Sequence, residues 1–433
     1  MDAETRTWAG QIAVSLPWRT CAPLFKPRHV AGFLVIWVLV GVSPARSAPA
    51  ERIKIILTGR AYEGSLMRNW FVNEPMADPI AIPTRDVPGG IEEGRRYVRM
   101  YFPRTYERLA ECDFVIFEGT EMVHFSHTQQ KWLHDAIRDH GMGGLNSRSV
   151  LSAVYYGQWI ASVTQLAFPN DVDAVIAGPG WKFGQTMEIV LNDDPSLRPV
   201  LLMFKDKPIK WKLTNYDAMV VVPRPGATIW SWIKGPFPEL SIPWPGYTPH
   251  LISWTYGNGT TWTCHDRTVN WWQDIRDANP YGLDMIMNMI LYSTGRDLPQ
   301  DIDLIHSIRR RFTEFGTRKT LVISTIELGQ KFGASMTRAE ASLTELEKLY
   351  LAAREAYVEQ REVEASDLVN RLIEGSRHAN EVAMEELNRA LLWIHVINWL
   401  VVCGTFMASG FVLWSLMVRK KLYREVASTR LGG

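Results

Sequence analysis

Short apolar runs alternate with amphipathic stretches in the first third of the chain. Residues 52–59 and 112–120 each have the length of a buried strand and end in glycine or polar residues. A third short run ends in the turn at residues 143–149, and residues 128–141 before it repeat apolar positions at helical spacing, at Trp132, Leu133, Ala136 and Ile137. This alternation predicts an α/β fold with a parallel sheet flanked by helices, and any site at the carboxyl ends of the strands.

The chain between residues 198 and 298 is richer in β-like patterns. Residues 198–205 and 218–225 are predicted strands, and residues 250–266 are a predicted hairpin with its turn at Asn258-Gly259. A helix with Leu283, Ile286, Met287 and Ile290 on its buried side then closes the domain. We therefore expect one α/β domain over residues 51–300.

A different pattern begins after residue 300. Apolar positions follow a spacing of three and four residues, which is typical of a coiled-coil seam or of the inner face of a helical hairpin. Residues 301–390 are thus predicted to form a helical stalk or hairpin. A single helix of roughly 55 residues would be about 80 Å long at about 1.5 Å per residue, whereas helices folded back on the sheet are the alternative. The seam positions are Met336, Ala339, Leu343, Leu346, Tyr350, Ala353 and Tyr357.

Residues 391–418 contain no Asp, Glu, Lys or Arg and are followed at once by Arg419, Lys420 and Lys421. About 20 apolar residues span a bilayer, and a basic cluster after them marks the cytoplasmic side. The pattern predicts one transmembrane helix in the cell membrane, a cytoplasmic tail over residues 419–433 and a main domain outside the cytoplasm. Small residues at Gly404 and Ala408 favour a contact with a membrane-protein partner or a second copy.

The first fifty residues resemble a secretory signal peptide. A twelve-residue apolar run at residues 31–42 follows basic residues and precedes a small-residue region, which indicates cleavage near Ala50. A retained signal anchor is the alternative, because the stretch before the apolar run is long.

Composition narrows the function further. The formal net charge is +1, which excludes bulk electrostatic attraction to nucleic acid. In the predicted domain, Cys112 and Cys264 adjoin strand-like runs and are expected to be buried free thiols, with one disulfide as the alternative. No motif indicates a cofactor, and the chain has no paired cysteines at zinc-ligand spacing.

The order of these segments resembles the class I glutamine amidotransferase-like superfamily, and more narrowly its membrane-anchored, mainly archaeal, uncharacterised branch. The segments that carry the resemblance are "KIILTG", "CDFVIFEGT", "MGGLNSRSV" and "YGNGTTWTCHDRTVNWW", together with the membrane segment. The resemblance implies a flavodoxin-like sheet. It also implies a nucleophile elbow at residues 145–149.

This chain departs from the family at the residues that perform catalysis. The elbow holds Asn146, Ser147 and Arg148 in place of a cysteine, and Asn270 stands where relatives tend to have histidine. A serine hydroxyl needs a strong neighbouring base, which Arg148 cannot supply. The position therefore indicates a degenerate or repurposed site. The residues expected to gather there and bind a small ligand are Glu118, Asn146, Ser147, Arg148 and Asp266.

Our leading hypothesis is a non-catalytic single-pass membrane protein that serves in ligand binding or in assembly of a membrane complex. The alternatives are an active hydrolase or amidotransferase that uses Ser147, and a carbohydrate-binding domain with exposed tryptophans between Trp181 and Trp272. His124 and His127 have the spacing of metal ligands, but surface histidines are the preferred interpretation and no metal site is predicted. Asn258 lies in an N-glycosylation sequon.

Overall fold

The structure, a computed structural model, describes residues 51–147, 158–171, 187–213, 222–235, 246–264, 271–272 and 279–430, the last six of these without their side chains. The predicted signal peptide, Arg148 and Asp266 lie outside these residues, and so does half of the predicted strand at 218–225, residues 218–221.

Nine strands form one sheet in the order β2-β1-β3-β4-β9-β8-β7-β5-β6. Strands β2, β1, β3, β4 and β9 are parallel, whereas β9, β8, β7, β5 and β6 pair antiparallel. The predicted parallel sheet therefore forms from five strands, but the whole sheet is mixed. The strands are β1 Ile53–Gly59, β2 Ala77–Pro83, β3 Phe114–Glu118, β4 Gly143–Ser147, β5 Met187–Leu191, β6 Lys212–Leu213, β7 Thr228–Lys234, β8 Tyr247–Tyr256 and β9 Gly259–Cys264.

Eight α-helices accompany the sheet in the described part of the chain. Three short 3-10 helices occur as well, at Met122–His124, Val163–Ala167 and Leu202–Phe204. The last of these lies within residues 198–205, so the strand predicted there is wrong. The α-helices are α1 Leu66–Asn73, α2 Gly90–Tyr101, α3 Tyr106–Ala110, α4 His127–His140, α5 Gly282–Ser293, α6 Ile302–Lys331, α7 Thr337–Val358 and α8 Glu362–Arg430.

The local sequence explains helix α4 in full. Ser126 accepts a hydrogen bond from the backbone N–H of Gln129, whose side chain bonds back to Ser126, and this reciprocal cap satisfies two donors at the start of the helix. Gly141 ends the helix in the left-handed conformation at φ 75°. Leu133, Ala136 and Ile137 are buried as expected, while Trp132 is half-buried.

The β8–β9 hairpin forms as expected, but its turn lies one residue earlier than the Asn258-Gly259 dipeptide suggests. Tyr256 pairs with Gly259, so the two loop residues are Gly257 and Asn258. Gly259 opens β9 where a Cβ atom would lie 2.5 Å from the carbonyl oxygen of Ile137. Close backbone contact with α4 therefore fixes this glycine in the strand.

Two buried apolar clusters cover the two faces of the sheet. Helices α1 and α5, with parts of α6, α7 and α8, pack on one face, and helices α2, α3 and α4 pack on the other. Helix α5 is buried around most of its circumference, with Met285, Ile286, Met287, Met289 and Ile290 all at 0% exposure. It is thus a central core helix rather than a helix with one buried side.

A third cluster joins the far ends of α6, α7 and α8 into a three-helix bundle within one chain. Of the seam positions, Met336, Ala339, Leu346, Ala353 and Tyr357 are buried, and Leu343 and Tyr350 are half-buried. The seam therefore packs on helices of the same chain. One end of the bundle belongs to the core of the α/β domain, because Ala353 and Tyr357 lie in the cluster that covers the sheet.

Helix α8 leaves this bundle and continues as an apolar helix. An 18-residue window within it has a mean hydropathy of 1.9, and none of that window is buried. By length and composition the helix can cross a membrane.

Buried charges tie the bundle to the α/β domain. Arg309 of α6 contacts Glu74 at the end of α1 at 3.0 Å, Asp284 of α5 at 2.6 Å and the hydroxyl oxygen of Tyr357 of α7 at 2.8 Å. His306 adds a 2.7 Å contact to Asp284. We call Arg309, Glu74, Asp284, Tyr357 and His306 the buried ion cluster. The guanidinium of Arg309 on α6 contacts residues of α1, α5 and α7, so four helices meet at this group. All members of the cluster except His306 are at most 5% exposed.

The pKa values in the buried ion cluster show that Arg309 is charged and Tyr357 is neutral. Burial would lower the pKa of Arg309, but Tyr357, Glu74 and Asp284 together raise this pKa above its ordinary value. Burial raises the pKa of Tyr357 well above its ordinary value, so the phenol stays protonated. The guanidinium is therefore held charged, and it compensates two carboxyl groups that are removed from water.

Replacing Arg309 with methionine should destabilise the whole protein. The substitution leaves Glu74 and Asp284 buried without their cation, and breaking a buried pair in this way costs about 3–5 kcal/mol. Chemical unfolding of the full-length protein in detergent measures the change. The neighbouring substitution Arg310→Met is the control, because Arg310 is exposed. Equal free energies of unfolding for the two variants would contradict this role of the buried ion cluster.

Candidate functional site

The carboxyl ends of four parallel strands bring one row of residues together. Gly59 of β1 pairs with Glu118 of β3, Glu118 with Ser147 of β4, and Ser147 with Cys264 of β9. Gly59 has φ 93°, and a Cβ atom there would lie 2.0 Å from the carbonyl oxygen of Glu118. Only glycine fits this close approach, so the row has a fixed backbone.

The expected ligand-binding residues do not all share one face of the sheet. Side chains two residues apart on a strand lie on the same face of the sheet. Glu118 therefore shares a face with Ile116, and Ser147 with Leu145, on the side covered by α1 and α5. Asn146 follows the opposite alternation, toward the α2–α4 side. The three residues lie at one edge of the sheet, as expected, but Asn146 is separated from the other two by the sheet itself.

All three of these side chains are buried. Glu118 is 4% exposed, Asn146 is 3% and Ser147 is 1%. Within the described residues, the amide nitrogen of Asn146 has no hydrogen-bond partner. An unsatisfied buried amide is costly, which makes Asn146 the member of the predicted set with polar capacity left for a further group.

Arg85, which the sequence analysis missed, covers the carboxyl end of β3. It follows β2, is nine-tenths buried, and donates a hydrogen bond from Nη1 to the carbonyl oxygen of Gly119 at 3.3 Å. Asp86 lies 3.9 Å from its Nε. Because Gly119 directly follows Glu118, this arginine places positive charge beside the row. No sequence motif marks it, since its position depends on the β2 loop turning back over β3.

A second polar chain unites three neighbouring antiparallel strands. His250 of β8 lies with Nε2 3.8 Å from the Sγ atom of Cys264 and with Nδ1 2.9 Å from the hydroxyl oxygen of Ser231 on β7. Each of the three side chains is 1% exposed. Cys264 is thus near His250 across the β8–β9 hairpin, whereas its neighbour His265 lies outside the described residues. The predicted hairpin brings these two strands together, but the contact of His250 with Ser231 depends on the pairing of β7 with β8.

Ser231, His250 and Cys264 include the groups that activate a thiol, but a substrate cannot reach them. A thiol beside an imidazole can lose its proton to it, and the serine would fix the imidazole tautomer. A nucleophile must also meet a substrate, and all three side chains are only 1% exposed. Trp271 and Trp272 pack on His250 at ring-centroid distances of 5.7 and 6.2 Å.

Cys112 and Cys264 are free thiols, as expected, because they lie in clusters on opposite faces of the sheet. Burial raises the pKa of the Cys112 thiol to about 11. The thiol therefore stays protonated at neutral pH and acts as a small core side chain.

The histidines before and within α4 are not all on the surface, which corrects that expectation. His124 is buried, with Nδ1 3.1 Å from the carbonyl oxygen of Ile91. His134 is buried as well, 2.9 Å from the hydroxyl of Tyr256. His127 and His140 are exposed. Among the described residues no three potential ligands lie together as a metal site would require.

The tryptophans do not form an exposed carbohydrate platform in the described part of the chain. Trp230, Trp262, Trp271 and Trp272 are at most 4% exposed and belong to the core. Trp181 lies outside the described residues. The sequon residue Asn258 is exposed, and its amide donates a hydrogen bond to the carbonyl oxygen of Asp139 at 2.9 Å.

A groove of about 850 Å³ runs along the edge strand β2, between α1 and α2. Tyr97 and Tyr101 of α2 stack at 6.2 Å on one side of it, and Arg68 and Arg85 contribute positive charge. Apolar walls with a few charged groups are typical of small-molecule sites. No sequence motif indicates this groove, because β2, two helices and the loops after β1 and β2 line it together.

Comparisons with known proteins give distant likenesses. No protein-family model matches the chain, and neither does any curated protein. Two solved structures of proteins described as cytoplasmic, from Salmonella typhimurium LT2 and Salmonella typhimurium, are 13% and 16% identical, cover 56% and 55% of this chain and 98% of their own, and have a TM-score of 0.38. A β-galactosidase from Bacillus circulans sp. alkalophilus is 13% identical over 57% of this chain and 32% of its own, with a TM-score of 0.28. At such TM-scores these likenesses carry no argument about fold or activity.

Both core thiols should resist alkylation in the folded full-length protein. At pH 8.5 iodoacetamide should label Cys112 and Cys264 only slowly, because both are buried and the Cys112 thiol ionises near pH 11. Unfolding in guanidinium should expose both to rapid labelling, and mass spectrometry of peptides reads out each site. Rapid labelling of Cys264 in the folded protein, lost in His250→Ala, would instead identify a working thiol–imidazole pair.

Proposed function

We propose that this chain is a non-catalytic, single-pass membrane protein that presents its α/β domain at the membrane surface for ligand binding or for assembly of a membrane complex. The observation that carries the proposal is the continuity of α8. One helix begins at Glu362, packs into the bundle and domain core, and extends as an exposed apolar helix of membrane-spanning length. Such a helix gives the domain a firm connection to the bilayer.

The family part of the proposal is a degenerate member of the class I glutamine amidotransferase-like superfamily. Supporting it, the parallel strands lie in the order β2-β1-β3-β4-β9, which is the doubly wound order of a flavodoxin-like sheet. Ser147, the last residue of β4, is 1% exposed and stands where the family has its cysteine nucleophile. A buried serine in a position without the family's thiol favours a binding role over a catalytic one.

The proposed topology places the α/β domain outside the cytoplasm. Arg419, Lys420 and Lys421 follow the apolar stretch directly, and positively charged flanks remain on the cytoplasmic side. The ligand would enter at the carboxyl edge near Arg85 and Asn146, or in the groove along β2. Both lie on the α/β domain, away from the apolar part of α8.

A single lysine in the apolar part of α8 should weaken membrane integration. Val401 is 62% exposed there, and a lysine near the middle of a membrane span costs about 2.5–3.5 kcal/mol. Alkaline carbonate extraction of membranes should leave the wild-type chain in the pellet and release a larger fraction of Val401→Lys. The matched control Val363→Lys alters an exposed valine of the same helix outside the span. Release of the wild-type chain by carbonate would contradict membrane anchoring.

Ser147→Ala should not change any hydrolytic background of the purified full-length protein. Glutamine hydrolysis and ester hydrolysis are the two assays, because a serine or amidotransferase mechanism would show in one of them. Arg85→Gln serves as the comparison, since it alters the neighbouring edge without removing a nucleophile. An activity abolished by Ser147→Ala and retained by Arg85→Gln would make this chain an enzyme.

A further inference from the structure

The bundle ends where the membrane segment begins. Arg389 is the last charged residue of α8 before Arg419. Leu387 still packs in the bundle at 5% exposure, whereas Trp393 is 61% exposed and Ile397 is 54% exposed. Within two to three turns the helix therefore changes from a packed, charge-bearing helix to an exposed apolar one.

Two tryptophans indicate where this boundary lies relative to the bilayer. Trp393 and Trp414 lie 21 residues apart, which is about 32 Å at about 1.5 Å per residue and matches a hydrocarbon core of about 30 Å. Tryptophan prefers the two interfaces of a bilayer. The level of Trp393 is therefore the level of the lipid headgroups and glycerol.

A groove of about 600 Å³ lies at this level, between α8 and the turn that joins α6 to α7. We call it the interfacial groove. Phe332, at the end of α6, is 45% exposed although it is a large apolar side chain. The side chains that matter are Phe332, Arg338, Arg389, Trp393 and Ile397.

Two arginines stand at the polar end of the interfacial groove. Arg338 contacts Glu386 at 2.9 Å, and Arg389 contacts Glu385 at 3.0 Å. Their side chains are nevertheless 56% and 61% exposed. A guanidinium has five N–H donors, more than one carboxylate accepts, so each arginine is held in place and still able to bind a phosphate oxygen.

We propose that the interfacial groove binds a phospholipid. Its phosphate lies against Arg338 and Arg389, and its acyl chain lies along Phe332, Trp393 and Ile397. The inference rests on the proposed membrane anchoring and adds a ligand and a site to it. The bound lipid fills the space between the bundle and the membrane, so it fixes the tilt of the α/β domain over the bilayer.

Lipid binding is measured by native mass spectrometry of the full-length protein in detergent, titrated with phosphatidylglycerol. The double variant R338Q/R389Q should bind the first lipid about tenfold more weakly than wild type. The control R371Q/R377Q removes the same charge from exposed positions of α8 inside the bundle. Equal affinities in both double variants would overturn the proposal, and so would equal affinity of the wild type for diacylglycerol, which lacks the phosphate.

A depth measurement keeps the test valid if R338Q/R389Q unfolds. In a Cys403→Ala background, a spin label at Phe332→Cys in lipid nanodiscs should be more accessible to oxygen than to a polar nickel chelate. A label at Glu345→Cys, exposed farther along α7, should show the reverse. If both labels are more accessible to the nickel chelate than to oxygen, the groove lies in water and the proposal is overturned. A stoichiometric membrane protein that covers Phe332 would overturn it as well.

Carbonate extraction separates this inference from the function on which it rests. If the wild-type chain is released from membranes, membrane anchoring fails and the groove loses its lipid. If the chain stays in the membrane but R338Q/R389Q binds lipid as tightly as wild type, the lipid site is wrong and membrane anchoring stands.

Discussion

The structure depends on one buried guanidinium. Arg309 contacts Glu74, Asp284 and Tyr357, so it connects α1 and the central core helix α5 with α6 and α7 of the bundle. Removing these charges from water is costly unless each is compensated, so the helices must meet in one arrangement. The direction in which α8 leaves the bundle follows from that arrangement.

Local patterns predicted much of the α/β core. Strands β1, β3 and β4 and helix α4 were readable because each is a short apolar run or an amphipathic helix with its own caps. The antiparallel β8–β9 hairpin was readable from its turn, but its place in the same sheet as the parallel strands was not, because it depends on where distant strands meet. Residues 198–205 show the limit most clearly: an apolar run typical of a strand instead contains the 3-10 helix Leu202–Phe204 under α5.

The sequence predicted where the candidate site lies better than it predicted which residues form it. Glu118, Asn146 and Ser147 do lie at the carboxyl edge, because parallel strands end together. Their division between two faces follows from the side-chain alternation of strands. Arg85, the contact of His250 with Ser231 and the interfacial groove were not predicted, because each depends on elements whose packing no motif indicates.

We propose that one unbroken helix carries the α/β domain into the membrane. Hydrogen–deuterium exchange of the full-length protein in lipid nanodiscs tests whether α8 is continuous. We expect slow exchange throughout residues 372–400, without interruption between Leu387 and Trp393, where the packed part of α8 ends and its apolar part begins. Fast exchange confined to that boundary would show a flexible tether and would contradict the firm connection on which the proposed function rests.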